Sequence, residues 1–264
     1  MKLVINEKEN AEKFNSIITN LQRFCENVIL FFHKDHFYVQ GMDFTQVALF
    51  EVKLDAEFFS EYTVDDGDTS NIGVKSLIIQ KLFNTRNIDQ NITISYTGNP
   101  DKINVSFENV KENSLDIPKY FELPLIEIDT PLLSIPDSEY PVDFSISTKV
   151  FCGVITDLLL FGDSIKVKCD EDNISMETNN FEGSIKLQLY KSEDVVGKIS
   201  DYAIEEEYSL ELDFNNKYFT HFCGFSKLSS MIYLYFSDTM PMQMKYEISD
   251  NSYVRFYLTS LSED

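Results

Sequence analysis

Apolar residues change their spacing along the chain, and each change predicts an element. Phe14, Ile17, Ile18, Leu21 and Phe24 recur every three or four residues, the period of one helical face, and so do Phe151, Val154, Ile155, Leu158 and Phe161. Two further helices are predicted near 75–84 and 214–224. Runs rich in β-branched and aromatic residues predict strands over 28–33, 36–41, 47–54, 92–96 and 103–107, then over 165–169, 174–178, 185–190, 208–212, 231–236, 242–248 and 253–258.

The order of a helix, a group of strands, a second helix and more strands therefore occurs twice, and the residues repeat with it. Phe14, Ile17, Ile18, Thr19, Asn20, Leu21 and Phe24 fall on Phe151, Val154, Ile155, Thr156, Asp157, Leu158 and Phe161 without a gap, at an offset of 137. The register runs on through Glu26/Asp163, Val28/Ile165, Asp35/Asp172 and Phe44/Phe181 and then slips by one before the apolar runs near Leu49 and Leu187. Later, Ile92 to Tyr96 resembles Ile232 to Phe236 at an offset of 140. A period of half the chain is an internal duplication, not a short-period solenoid.

Five of the seven prolines, Pro118, Pro124, Pro131, Pro136 and Pro141, fall between the halves. Each lacks an amide donor and fixes φ, so the stretch is expected to run extended over the surface, with no regular helix or central strand. Its apolar residues, among them Phe121, Leu123, Ile126 and Leu133, say that it lies against the protein. The expected organisation is an N-terminal domain over 1–117, a connector over 118–141 and a C-terminal domain over 142–264.

With 43% hydrophobic and 14% aromatic residues, 264 residues can bury one large core or two ordinary ones, which excludes disorder. A net charge of −22 would repel phosphates if spread evenly, which argues against a simple groove-binding nucleic-acid protein. Cys25, Cys152, Cys169 and Cys223 lack metal-ribbon spacing and are expected to be packed thiols in a reducing compartment. Glu7, Lys8 and Glu9 interrupt the apolar start, so no secretory segment is expected, and the longest apolar runs are far short of a membrane span.

The charge is not even. Helical windows at 8–24, 74–86, 147–161 and 214–229 hold nine of the 22 basic residues and three of the 44 acidic ones, so they are net positive in an anionic chain. Screening over about 8–10 Å lets a basic helical face attract phosphate regardless of the overall sign. The pattern suggests a DNA-facing side; the plainer alternative is that lysines are ordinary helix formers on solvated faces.

Several local motifs carry a resemblance. They are Val39-Gln40-Gly41-Met42-Asp43 with Val47-Ala48-Leu49, the run from Leu133 to Tyr140, Asp157-Leu158 with Gly162-Asp163, Ser184-Ile185-Lys186-Leu187, and Lys245-Tyr246 through Tyr253 to Leu258. In this order, around a duplicated domain with a long connector, the chain resembles over essentially its whole length the DNA sliding clamps of the proliferating cell nuclear antigen type. The resemblance implies an α+β clamp fold with two similar domains per chain, each with two helices on one face of β-sheets. Three chains would close head to tail into a ring around duplex DNA. It implies a processivity factor, not an enzyme, with no cofactor or metal. Implied partners are sequence-independent double-stranded DNA, a DNA polymerase, a clamp loader, and a nuclease or ligase carrying a Gln-x-x-aliphatic-x-x-aromatic-aromatic peptide. No membrane is implied, and the location would be the nucleus, or the site of viral DNA replication if the chain is virus-encoded.

Residue by residue, the resemblance implies a DNA-facing set of Lys13, Lys75, Lys81, Lys149, Lys217 and Lys227, of which Lys13, Lys81 and Lys217 match basic family positions best. Thr19, Thr156 and Gly224 stand where relatives often carry a basic residue, implying looser DNA contact. The implied peptide pocket comprises Met42, Gln46, Val47, Leu49, Leu133, Ile135, Pro136, Tyr140, Pro241, Met242, Tyr257 and Thr259. Gln46 replaces an expected histidine. The implied subunit contact comprises Phe121 on one edge and Asn179, Phe181, Ile185 and Lys186 on the other. Glu171 stands where relatives carry a lysine for ubiquitin-type modification, with Lys168 nearby.

Other chemistry is less favoured. His33-Lys34-Asp35-His36 reads as a hairpin turn and lacks a third fixed metal ligand. Asp65-Asp66-Gly67-Asp68 lacks calcium-loop spacing, and Glu205-Glu206-Glu207 reads as a solvated run. No phosphate-cradling glycine loop occurs. The remaining alternatives are a checkpoint-type or heterotrimeric clamp subunit, a clamp-derived viral processivity factor without a closed homotrimer, and a hydrolase, for which no motif exists.

Overall fold

The computed structural model describes residues 1–64, 70–96, 101–110, 115–136, 138–171, 173–189 and 199–261. The acidic loop Asp65 to Asp68, and Asp137 and Asp172 of the motifs above, lie outside the described residues. Two units divide the chain. Unit 1 takes Met1–Phe44, Glu51–Leu133 and Ser249–Tyr253; unit 2 takes Thr45–Phe50, Ser134–Ile248 and the stretch from Val254 on.

The first half of the chain forms β1 (Lys2–Ile5), α1 (Lys8–Asn20), β2 (Asn27–Phe32), β3 (His36–Met42), β4 (Ala48–Asp55), β5 (Glu61–Thr63), β6 (Ser70–Lys75), α2 (Ser76–Phe83), β7 (Gln90–Ser95), β8 (Lys102–Asn109) and β9 (Lys119–Pro124). The second forms β10 (Val142–Ser147), α3 (Thr148–Leu158), β11 (Ser164–Cys169), β12 (Ile174–Asn179), β13 (Ser184–Leu189), β14 (Ile199–Ile204), β15 (Leu210–Asn215), α4 (Asn216–Cys223), β16 (Met231–Phe236), β17 (Met242–Ser249) and β18 (Ser252–Leu258).

The duplication is legible in the sheet order. β5-β1-β7-β8-β9 in the first half corresponds strand for strand to β14-β10-β16-β17-β18 in the second, and β4-β3-β2-β6 corresponds to β13-β12-β11-β15. Antiparallel registers such as Ile94↔Val105 and Val105↔Phe121 keep each inward residue opposite another.

Each unit has its own aromatic core. In unit 1, Phe14 of α1 lies 5.7 Å from Phe37, 6.1 Å from Phe59 and 5.9 Å from Phe83 of α2, while Phe83 meets Phe107 of β8 at 5.3 Å. In unit 2, Phe151 of α3 meets Phe219 of α4 at 6.0 Å, and Phe222 stacks on Phe256 of β18 at 4.5 Å. Burying each such ring contributes about 1.5–3 kcal/mol, so the matching helix faces seen in the sequence are the faces that hold the helices down.

The sequence pattern missed β1, β5, β6, β9, β10 and β14 and placed β15 two residues early. β9 requires the main correction. The connector's first residues are not merely extended surface chain: Lys119 to Pro124 pair with β8 as an edge strand whose only proline is its last residue. The next stretch also stays with unit 1, because Leu125 N–H donates to Asp101 O at 2.9 Å and Ile126 N–H to Gly73 O at 2.9 Å. All four cysteines are free thiols.

Candidate nucleic-acid interface and partner pocket

In unit 1, Lys13 is half-buried on α1 and ion-paired with Glu9 at 2.6 Å, while Lys75 and Lys81 at the two ends of α2 are exposed. In unit 2, Lys149, Lys217 and Lys227 are exposed on α3, on α4 and in the turn after α4. Lys75 is the N-cap of α2, and Lys149 and Lys217 sit in the first turns of α3 and α4, where the helix dipole disfavours a cation. None of those three first turns contains an acid. Helix stability therefore does not account for these three lysines. Thr19 and Thr156 are turned back onto their own helices, donating to Asn15 O at 2.7 Å and Cys152 O at 2.8 Å.

The residues named for peptide binding divide between the units. In unit 2, Tyr140 OH donates to Pro241 O at 3.0 Å, and Thr259 N–H donates to Val47 O at 3.1 Å. Gln46 is exposed in a left-handed turn with φ 59°. Ile135 and Tyr257 are half-buried, Pro136 and Pro241 are exposed, and Leu49 and Met242 are buried beneath the surface. In unit 1, Met42 is half-buried, and exposed Leu133 is clasped by Gln40, whose Nε2 donates to Leu133 O at 3.0 Å and whose Oε1 accepts from Leu133 N–H at 2.8 Å. Sequence reasoning quoted Gln40 only as motif; its amide is what fixes this point of the connector.

Beside Tyr140 lies an open groove of about 460 Å³ in unit 2, walled by Pro136, Tyr140, Tyr235, Tyr257, Lys245 and Arg255. Tyr235 stacks obliquely on Tyr140 at 5.7 Å and was not anticipated. Burial and the neighbouring Asp201 push the Asp143 carboxyl in this groove above its usual range.

The residues named for subunit contact lie on or beside two strands that end their sheets. β9 ends its sheet, with Phe121 half-buried on Phe107 at 5.8 Å and Tyr120 exposed beside it. β13 ends the other, with Ile185 half-buried and Lys186 exposed, 3.8 Å from Glu177. Asn180 Oδ1 accepts from Glu182 N–H at 2.8 Å and Gly183 N–H at 3.0 Å, and this turn leaves Asn179 exposed and Phe181 97% exposed. Leu160, at the end of α3, is also exposed and was not foreseen. Glu171 is exposed and accepts from Glu207 N–H at 3.3 Å. Among the described residues, no group of three or more His, Cys, Asp or Glu could hold a metal, and no helix is long and apolar enough to cross a membrane.

A duplicated α+β chain with a helix pair in each half and lysines at the helix ends is built as a DNA sliding clamp. Comparison with protein families agrees in both halves. Residues 6–131 match the proliferating cell nuclear antigen N-terminal domain and residues 134–261 its C-terminal domain. The chain is 27% identical over 220 residues to the proliferating cell nuclear antigen of Chaetomium thermophilum, covering 83% of each chain. It is also 27% identical over 227 residues to proliferating cell nuclear antigen 2 of Drosophila melanogaster, covering 86% of this chain and 85% of that one. The chain belongs to the proliferating cell nuclear antigen family, whose members are clamps and processivity factors of DNA replication and repair.

Proposed function

We propose that the chain works as a homotrimeric ring that encircles duplex DNA and tethers polymerase and other replication proteins to it, in the nucleus or at a viral replication site. One observation carries the ring. β4 and β18 lie side by side, with Asp55 N–H donating to Ser252 Oγ at 2.9 Å and Thr259 N–H to Val47 O at 3.1 Å. Their duplicated counterparts, β13 and β9, each end a sheet with no outer neighbour among the described residues. A chain that satisfies one such pair of edges internally leaves the other pair for another copy, and repeating that join head to tail closes a ring. Phe121 supplies the apolar anchor on one edge, and Phe181 and Ile185 supply it on the other.

Encirclement removes the conflict between an anionic protein and an anionic ligand. A topologically held DNA needs only weak phosphate contacts, here from Lys13, Lys75, Lys81, Lys149, Lys217 and Lys227, and weak contacts permit sliding. Polymerase, loader, nuclease and ligase would dock through the aromatic-aliphatic peptide, its hydrophobic residues meeting Ile135, Pro136, Tyr140, Pro241 and Tyr257 over a floor of Leu49 and Met242. Chemistry would be done by the tethered partners, with no catalytic residue here.

Light scattering should give a mass of three chains. Protein loaded on nicked circular DNA should stay bound in salt, and linearising the circle should release it. A single-chain mass at all concentrations, or equal retention on circles and linear DNA, would overturn the closed homotrimer in favour of a heteromeric clamp or a clamp-derived monomer.

A further inference from the structure

A buried carboxylate in unit 1 begins a chain of hydrogen bonds that reaches the connector. Glu51 of β4 is 5% exposed, a burial that a carboxylate tolerates only when it is hydrogen-bonded. Tyr38 OH, on the adjacent strand β3, donates to Glu51 Oε2 at 3.0 Å. Gln40 lies two residues on and so on the same face of β3. Its Nε2 donates to Tyr38 OH at 3.1 Å and to Leu133 O at 3.0 Å, and its Oε1 accepts from Leu133 N–H at 2.8 Å. Tyr38 and Glu51 have no role in the DNA face or among the docking residues named so far.

The chain of bonds has a direction, and Glu51 sets it. A carboxylate has only acceptors, so Tyr38 directs its single proton to Glu51 and its oxygen is left to accept. Burial and the Glu51 charge push the Tyr38 hydroxyl above its ordinary value, which keeps that proton in place. Gln40 must therefore turn Nε2, not Oε1, toward Tyr38. In that orientation the amide offers Leu133 O a donor and Leu133 N–H an acceptor at once. The flipped amide would set oxygen against oxygen and N–H against N–H.

We propose that Tyr38 and Glu51 are positioning residues for peptide docking: through Gln40 they fix the backbone of Leu133, two residues ahead of Ile135, and so fix where the connector presents its apolar residues to a partner peptide. The inference rests on the docking reading above. Tyr38 and Glu51 hold the connector and do not touch the peptide. Without them the peptide must itself order Leu133 on binding, and that ordering weakens affinity.

The test uses the full chain and a synthetic Gln-x-x-Leu-x-x-Phe-Phe peptide. Tyr38→Phe removes one oxygen from a half-buried ring. It should speed amide exchange at Leu133 about 2–10-fold and weaken peptide binding by a similar factor, the reach of one hydrogen bond. Gln40→Ala should do at least as much, and adding Tyr38→Phe to it should change neither readout further, because Tyr38 acts through Gln40. Tyr62→Phe should move neither, although it removes a hydroxyl that donates to His33 O at 2.8 Å and His36 O at 2.7 Å in the same unit. Unchanged Leu133 exchange or unchanged affinity in Tyr38→Phe, or additive losses in the double variant, would overturn the positioning role while wild-type binding leaves docking standing. If Tyr38→Phe folds poorly, Gln40→Glu decides in its place: it keeps the shape but offers Tyr38 no donor, so Leu133 exchange as slow as in the wild type would overturn the role. A wild-type protein that binds no peptide would overturn the docking reading, and the role with it.

Discussion

Gly73 shows how a single residue sets the course of the connector. Its carbonyl accepts from Ile126 N–H at 2.9 Å, and a Cβ at this position would lie 2.2 Å from Ile126 O. The clash is with backbone, which cannot swing away as a side chain could, so only glycine lets the connector lie so close to β6. Gly73→Ala should destabilise unit 1 by about 1–3 kcal/mol, the range for overpacking a tight contact. It should also speed proteolysis between 125 and 131. A denaturant titration with the midpoint unmoved, together with unchanged cleavage, would show that the contact yields freely. Gln40 fixes the connector further along by clasping both backbone groups of Leu133.

At the level of elements, the open edges β9 and β13 make the sharper prediction. Phe181 is 97% exposed, so replacing it changes no packing within the chain, and Phe181→Lys should alter folding stability by no more than about 0.5 kcal/mol. In the proposed ring the same residue would flank the joined edges, and burying a lysine there should weaken assembly at least ~10-fold while the monomer's melting midpoint holds. Sedimentation across a concentration series reads the first effect, and calorimetry of the dissociated protein reads the second. Elements of this kind were unevenly legible in the sequence. Phe14 and Phe151 announced α1 and α3 because a helical face repeats over many residues. β5 spans three residues and β1 four, too short for a period to emerge, and in β14 the polar Asp201 and Tyr202 interrupt the apolar residues that would have marked a strand. β9 was hidden by the prolines around it, which bar a central strand but permit an edge. In the candidate pocket, Tyr140 and Pro136 were legible as motif, whereas Gln40 and Tyr235 depend on contacts between residues far apart in the chain.

The whole molecule carries −22, and a trimer of it would bring three such charges together. Repulsion between like-charged chains acts at long range, over a Debye length of about 30 Å at 0.01 M salt and about 10 Å at 0.1 M. The apolar contacts offered by Phe121, Phe181 and Ile185 act only at contact and do not weaken with salt of this concentration. Raising salt from about 0.01 to about 0.15 M should therefore tighten the proposed ring, shifting the dissociation midpoint to lower protein concentration, in the opposite direction to an assembly held by ion pairs. Lysines at the helix ends that contact phosphate as proposed would respond with the other sign, because phosphate contacts weaken as counterions compete. Between low and moderate salt, the protein alone should become more trimeric while its affinity for short linear duplex falls. Light scattering and fluorescence anisotropy on the same samples separate the two effects. A trimer that dissociates as salt rises would place ion pairs, not apolar edges, at the join between chains.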